Sequence, residues 1–174
     1  MLRYTKTAML IHWLTALLII AAFFLGLTMT EIHGITPTKL KYYSWHKWLG
    51  VTVLLLACLR VLWRKANKPP PHPAGMPAWQ HKAADGMHLL LYLLIFAVPL
   101  SGYLYSCAAG VPVVYLGLIP LPSLIEPSTE LKPILKTVHY VLTMTMAAAV
   151  VAHALAALKH QFIDRDGVLS RMLP

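Results

Sequence analysis

Four long apolar segments constrain what this chain can fold into. They lie at residues 8–29, 43–63, 87–108 and 134–158. Crossing a bilayer takes about 20 helical residues, so each segment is long enough to do so. Only 12% of the residues are charged, against roughly 25% in soluble domains. The sequence therefore predicts an all-α integral membrane four-helix bundle in which residues 1–174 form a single domain.

The distribution of Lys and Arg predicts the orientation of this bundle. With the N-terminus inside, ten basic residues fall on the cytoplasmic side and five on the opposite side. Cytoplasmic loops carry the excess of basic residues, so we expect both termini in the cytoplasm. The net charge of +9 is then largely topological, and a nucleic-acid partner has no support. The five residues expected on the outer side are Lys39, Lys41, Lys47, Lys132 and Lys136.

The connections between the apolar segments differ in composition. Residues 64–86 are predicted to form a Pro-rich cytoplasmic linker, and residues 30–42 and 109–133 to form outer loops. Three of the nine histidines fall in these connections, where a solvated surface role is the expectation: His33, His72 and His81.

The remaining histidines are the unusual feature of the apolar segments. His139 and His153 are 14 residues apart in the last segment. In an α-helix this spacing places them about 40° apart around the axis and about 21 Å apart along it. His160 follows on the same stripe, at the cytoplasmic end. Ionisable residues inside a membrane are costly and usually functional.

Two of these histidines have counterparts at matching depth on other segments. His12 and His153 both lie four or five residues from the cytoplasmic ends of their segments, and His46 and His139 lie close to the outer ends. His88, at the cytoplasmic start of the third segment, competes for the inner level. The sequence thus predicts an inner pair, His12 with His153, and an outer pair, His46 with His139.

A haem held between two imidazoles suits such pairs, because the porphyrin is apolar and takes one ligand from each side. Zinc normally requires three or four converging ligands, often with a carboxylate. The four apolar segments contain no Asp or Glu, which also weakens a proton-pump or cation-transporter reading. No C-x-x-C-H motif is present for covalent haem attachment. The alternative is that each histidine only forms a hydrogen bond to a neighbouring helix.

The stretches "MLIHWLTALLI", "YYSWHKWLGVTVLLLACLRVLWR", "HLLLYLLIFAVPLSGYLYS" and "LKTVHYVLTMTMAAAVVAHALAALKHQFIDRDGVLSRM" span nearly the whole chain. They resemble the bacterial di-haem cytochrome b561 family, which is related to the cytochrome b subunits of nickel hydrogenases. The resemblance implies a bundle in the bacterial inner membrane with two b haems held inside. It also implies electron transfer between the outer face and the quinone pool.

Carried over by position, His12 and His153 match the iron ligands of the cytoplasmic-side haem, and His46 and His139 those of the outer haem. His88 and His160 match further family histidines, which we interpret as quinone-site or supporting residues. His88 is the reserve ligand for His12. Either His88 or His160 is also a candidate for proton delivery to a quinone, because imidazole exchanges protons near neutral pH.

Two functions of different class follow from the resemblance. The first is a superoxide:quinone oxidoreductase that oxidises superoxide to dioxygen and reduces ubiquinone. Lys39, Lys41 and Lys47 flank His46 and would steer an anionic donor to it, unless they only meet lipid phosphates. The second is a haem-bearing subunit that passes electrons for a partner dehydrogenase or a periplasmic redox protein. The short termini favour the first.

Overall fold

The computed structural model describes residues 3–71, 73 and 75–173, which leaves His72 outside the described residues. Four α-helices dominate it, as the sequence predicts. In chain order they are α1 (Lys6–Glu31), α2 (Pro37–Ala66), α3 (Ala78–Ala108) and α4 (Leu131–Lys159).

Short elements complete the chain. Between α3 and α4 lies a small antiparallel hairpin of β1 (Val114–Tyr115) and β2 (Ile119–Pro120). After α4 the backbone widens into one π-helical turn, His160–Asp164, which ends where Arg165 adopts a left-handed conformation with φ of 53°. A 3-10 turn, Leu169–Arg171, follows.

Three of the described helices are long and apolar enough to cross a membrane: α1, α3, and α4 with its π-helical continuation. Their large apolar side chains point outward, and Leu17, Phe24, Leu93 and Leu155 are each at least 60% exposed. An apolar surface of this kind is what contact with lipid requires. Helix α2 is the most polar of the four and packs against α1 and α3. Its own crossing stays a prediction.

The buried centre of the bundle lies between α2, α3 and α4 and includes two alanines. Ala57 is fully buried there, and Ala149 on α4 is 6% exposed. Small residues at helix contacts let the backbones approach closely, which favours van der Waals packing between membrane helices. The buried cluster consists of Val53, Ala57, Leu94, Ile95, Met146 and Ala149.

Hydrogen bonds between distant segments show that both termini lie at one end of the bundle. The Trp13 indole donates to the Met172 carbonyl at 2.7 Å. The Trp63 indole donates to the Thr5 hydroxyl at 2.9 Å. We call this the termini end; it also holds the connection between α2 and α3. The opposite end, with the connections 32–36 and 109–130, is the loop end.

The long connection at the loop end is tied to α2. The Trp48 indole donates to the Val114 carbonyl at 2.7 Å, and the Lys47 ammonium donates to the Pro112 carbonyl at 3.3 Å. The hydroxyl of Tyr115 lies 3.0 Å from that of Thr52. The segment 109–130 is therefore fastened across the end of the bundle.

Two predicted loop boundaries are wrong. Helix α2 begins at Pro37, so Lys39 and Lys41 lie on helical turns and not in a loop. Helix α3 begins at Ala78, which places His81 in its first turns. Hydropathy marks the part of a helix that meets lipid, and polar turns continue the same helix beyond it. The Thr36 hydroxyl caps α2 by accepting from the Lys39 amide at 3.1 Å.

We expect Ala57→Leu to destabilise the bundle by about 1–3 kcal/mol, because extra methylenes in a close-packed helix contact force side chains and backbone apart. Thermal unfolding of the protein in detergent measures this. The neighbouring substitution Cys58→Leu is the control, because Cys58 is exposed on the outer surface of the bundle. Equal melting temperatures for the two variants would contradict the proposed packing.

Candidate functional site

The loop end of the bundle holds one pair of facing imidazoles. His46 on α2 and His139 on α4 lie with ring centres 6.2 Å apart and ring planes at 84°. Both side chains are partly buried. The structure therefore brings together the outer pair that depth matching predicts.

One nitrogen of each ring in this pair already has a protein partner. His46 Nδ1 lies 3.0 Å from the Ala22 carbonyl, and His139 Nδ1 lies 3.1 Å from the Val98 carbonyl. Because a carbonyl only accepts hydrogen bonds, both Nδ1 atoms carry the proton. Each Nε2 then keeps its lone pair. Metal-binding histidines are typically held in this way, with the second ring nitrogen donating to a carbonyl or carboxylate.

Three imidazoles lie close together at the termini end. His12 on α1 and His153 on α4 have ring centres 6.3 Å apart. His88 on α3 approaches the same His153 ring, with centres 5.5 Å apart. His12 Nδ1 is buried and has no hydrogen-bond partner among the described residues. A buried polar atom left in this state calls for a bound group or an ordered water.

The spacing within the pairs is a test of whether one metal ion fits between them. Two imidazoles on opposite sides of an ion, each bonded at about 2 Å, place their ring centres about 6 Å apart. The separations of 6.2 Å for His46–His139 and 6.3 Å for His12–His153 meet this requirement. The 5.5 Å of His88–His153 is shorter, which favours His12 as the partner of His153.

Each histidine pair joins two helices that are not neighbours in close backbone packing. Such packing joins α1 to α2, α2 to α3, and α3 to α4; among the described residues neither α1–α4 nor α2–α4 packs as closely. The His12–His153 pair joins α1 to α4, and the His46–His139 pair joins α2 to α4. An apolar, planar group that takes a ligand from each side, such as haem, fits this arrangement.

A cleft opens beside the termini-end histidines. Its lining includes His12, His88 and His153 together with two arginines of α2. The guanidinium groups of Arg60 and Arg64 lie 5.3 and 5.5 Å from the centre of the Tyr92 ring. Paired guanidinium groups at the mouth of an apolar cleft suit a ligand that carries carboxylates or carbonyl oxygens.

His160 does not line this cleft within the described residues. Its Nδ1 donates to Asp166 at 2.6 Å and lies 3.2 Å from Asp164. Asp164 is also paired with Lys159 at 2.5 Å. The group His160, Asp164 and Asp166 is compact enough to hold a cation. Its two carboxylates are, however, already paired with the Lys159 ammonium and the His160 imidazole.

Sequence reasoning identified the histidines of both pairs and missed most of what surrounds them. Ser101, whose hydroxyl lies 3.0 Å from His139 Nδ1, has no sequence signal that separates it from any other helical serine. One aspartate partner of His160 has a weak sequence signal, because Asp164 follows His160 by four residues, which is one helical turn. His33 is exposed, as expected.

Comparison with known proteins identifies similar sequences over the whole chain. The family model described as prokaryotic cytochrome b561 matches residues 3–174. Cytochrome b561 homolog 2 of Escherichia coli (strain K12) is 36% identical over 172 residues, which cover 98% of this chain and 91% of that protein. Cytochrome b561 homolog 1 of the same strain is 33% identical over 176 residues, which cover 99% and 97%. A probable superoxide oxidase CybB of Yersinia pestis is 31% identical over 177 residues, which cover 99% and 96%.

Proposed function

The chain belongs to the prokaryotic cytochrome b561 family, and from that premise we propose that it holds two b haems and passes electrons from superoxide to ubiquinone. Membership makes it a membrane protein that transfers electrons by means of b-type haem. The number of haems, the donor and the acceptor are the proposal. A likeness to a probable superoxide oxidase supports the choice of donor.

The observation that carries the proposal is the presence of two histidine pairs, one at each end of the bundle, with nearly equal ring separations. We assign His46 and His139 as the iron ligands at the loop end. His12 and His153 are the iron ligands at the termini end, with His88 as the reserve for His12. Each b haem, when bound, accepts and passes on one electron at a time.

The excess of Lys and Arg at the termini end supports an orientation with that end in the cytoplasm. The loop end then faces the periplasm. We propose that the protein lies in the bacterial inner membrane with both termini in the cytoplasm. In this orientation an external electron donor would reach the loop end. A membrane quinone would bind in the cleft at the termini end and take up protons from the cytoplasm.

The net reaction takes one electron from each of two superoxide ions and releases two molecules of dioxygen. One ubiquinone gains the two electrons together with two protons and becomes ubiquinol. The protein's own part at the loop end is to attract the anion. Lys47, whose ammonium is held at the Pro112 carbonyl, and Lys39, held at the Ile32 carbonyl at 2.7 Å, place positive charge there.

At the termini end the protein has to bind the quinone and supply protons. Arg60 and Arg64 can donate hydrogen bonds to quinone oxygens or hold haem carboxylates in the cleft. His160 with Asp166 forms a proton-holding pair at the same end of the bundle, since the Nδ1 proton is shared with a carboxylate 2.6 Å away. We propose His88, which lines the cleft, or His160, at the same end of the bundle, as the proton donor, and His88 also as a residue of the quinone site.

The first prediction concerns haem content and its assignment. The purified protein should carry two b haems by the pyridine haemochrome assay. His46→Ala or His139→Ala should remove one haem and leave the spectrum of the other intact, and His12→Ala or His153→Ala should remove the other. A single haem in the wild type would contradict the pairing. If His88→Ala removes the termini-end haem and His12→Ala does not, His88 is the ligand.

The second prediction concerns the electron donor. Superoxide should reduce the haems rapidly, and more slowly as the Debye length falls from about 10 Å at 0.1 M salt to about 3 Å at 1 M. The triple substitution of Lys39, Lys41 and Lys47 by Gln should lower the bimolecular rate about tenfold or more without loss of haem. Stopped-flow absorbance at the haem bands measures both effects.

The control for this series is the triple substitution of Lys65, Lys68 and Lys82 by Gln, which removes the same charge from the termini end. It should leave the rate of reduction by superoxide unchanged, and added ubiquinone should reoxidise the haems. Haems that do not respond to superoxide but accept electrons from a co-purifying protein would contradict the oxidase and support the electron-transfer subunit. Rates insensitive to salt and to both triple substitutions would reject the steering alone.

A further inference from the structure

Two glycines within the helices lie against the imidazoles of the loop end. A Cβ atom placed on Gly102 would lie 2.8 Å from His139 Cε1 and 3.1 Å from its Nδ1. On Gly26 it would lie 3.1 Å from His46 Cε1 and 3.4 Å from its Nδ1. Real Cβ atoms do not approach other atoms as closely as 2.8 Å, so only glycine allows His139 its present position.

Each glycine stands one helical turn beyond the carbonyl that accepts from the same ring. His46 donates to the Ala22 carbonyl and lies where a Cβ on Gly26 would be, and His139 donates to the Val98 carbonyl and lies where a Cβ on Gly102 would be. A helical carbonyl points towards the residue four positions on. The accepting carbonyl and the space left by the missing Cβ of the glycine therefore form one feature, which we call the carbonyl–glycine notch. One notch consists of Ala22 and Gly26 on α1, and the other of Val98 and Gly102 on α3.

The notch lies against the Cε1 side of each ring. A Cβ atom built on either glycine would lie nearest to Cε1 and next nearest to Nδ1, and on Gly102 it would also lie 3.4 Å from Nε2 of His139. The ring therefore cannot turn freely about its side-chain bonds without losing the hydrogen bond from Nδ1 or moving into the glycine backbone. The two ring planes cross at 84°.

Other helical glycines show that this contact is specific. Gly50 on α2 and Gly86 on α3 have nothing within 4 Å of an added Cβ. Glycine in a helix interior is destabilising relative to alanine, so a helix that contains one usually gains something from it. Among the four glycines that lie within the helices, the two in the notches are the ones that face an imidazole.

We propose that Gly26 and Gly102 are positioning residues that set the rotation of the two loop-end imidazoles, and thereby the electronic properties of an iron held between them. The inference rests on the proposed haem at His46 and His139. It assigns the crossed ring planes to the two helices that carry no iron ligand at this end, α1 and α3. The termini-end histidines have no such contact with any of these glycines.

The test compares Gly102→Ala and Gly26→Ala with the controls Gly50→Ala and Gly86→Ala, all in the full-length protein with haem bound. The low-field electron paramagnetic resonance signal of a ferric haem with two imidazole ligands depends on the angle between their planes. The signal of the loop-end haem should shift in Gly102→Ala, and less in Gly26→Ala, where the contact is longer. The signal of the termini-end haem should stay unchanged in both variants.

A potentiometric titration of each variant provides a second measurement. The midpoint potential of the loop-end haem should shift in the same order, or that haem alone should be lost from Gly102→Ala. The two controls should keep both haems with wild-type signals and potentials. Equal shifts of both haems, or loss of both, would show general damage to the bundle and overturn the inference.

The haem content of the wild-type protein distinguishes a failure of this inference from a failure of the proposed function. A wild-type protein without a haem at His46 and His139 overturns the proposed function and the positioning role together. A wild-type protein with that haem, whose signal and potential do not change in Gly102→Ala, overturns only the positioning role.

Discussion

The free energy of burying imidazole in a membrane is the constraint to which the rest of this structure responds. A polar ring taken out of water needs a partner for each nitrogen, or it destabilises the fold. At the loop end, a backbone carbonyl of a neighbouring helix accepts a hydrogen bond from one nitrogen of each ring, so that no additional polar side chain is needed for that nitrogen. The second nitrogen of each ring also needs a partner, and in the proposed function that partner is the iron of a haem.

The two ends of the bundle meet this constraint differently. At the loop end, Nδ1 of both rings is bonded and a fastened connection covers the helices. At the termini end, His12 Nδ1 is buried without a partner among the described residues, and a cleft with two arginines opens beside it. A rigid closed site suits a cofactor that stays in place. An open site with a third imidazole suits a second molecule that binds and leaves.

Much of this arrangement is predictable from the sequence, because it depends on the length of the apolar segments and on the spacing of the histidines. The length of the apolar segments indicates four helices, and the 14-residue spacing of His139 and His153 places them on one stripe at different depths. The beginnings of α2 and α3 were not predictable from hydropathy, which reports contact with lipid and not helical conformation. The carbonyl–glycine notches depend on which helix neighbours which, and no local pattern reveals it.

The loop end also bears on the kind of electron donor. The Pro112 and Val114 carbonyls are bonded to Lys47 and Trp48, and the Tyr103 hydroxyl donates to the Pro122 carbonyl. The connection is thus fixed over the loop end of the bundle. A protein donor would have to dock on this connection and transfer its electron across it. A small anion would not need to dock. Lys47, which is bonded to the connection and is the residue next to His46, places a positive charge at the loop end, and this agrees with the small anionic donor of the proposed function.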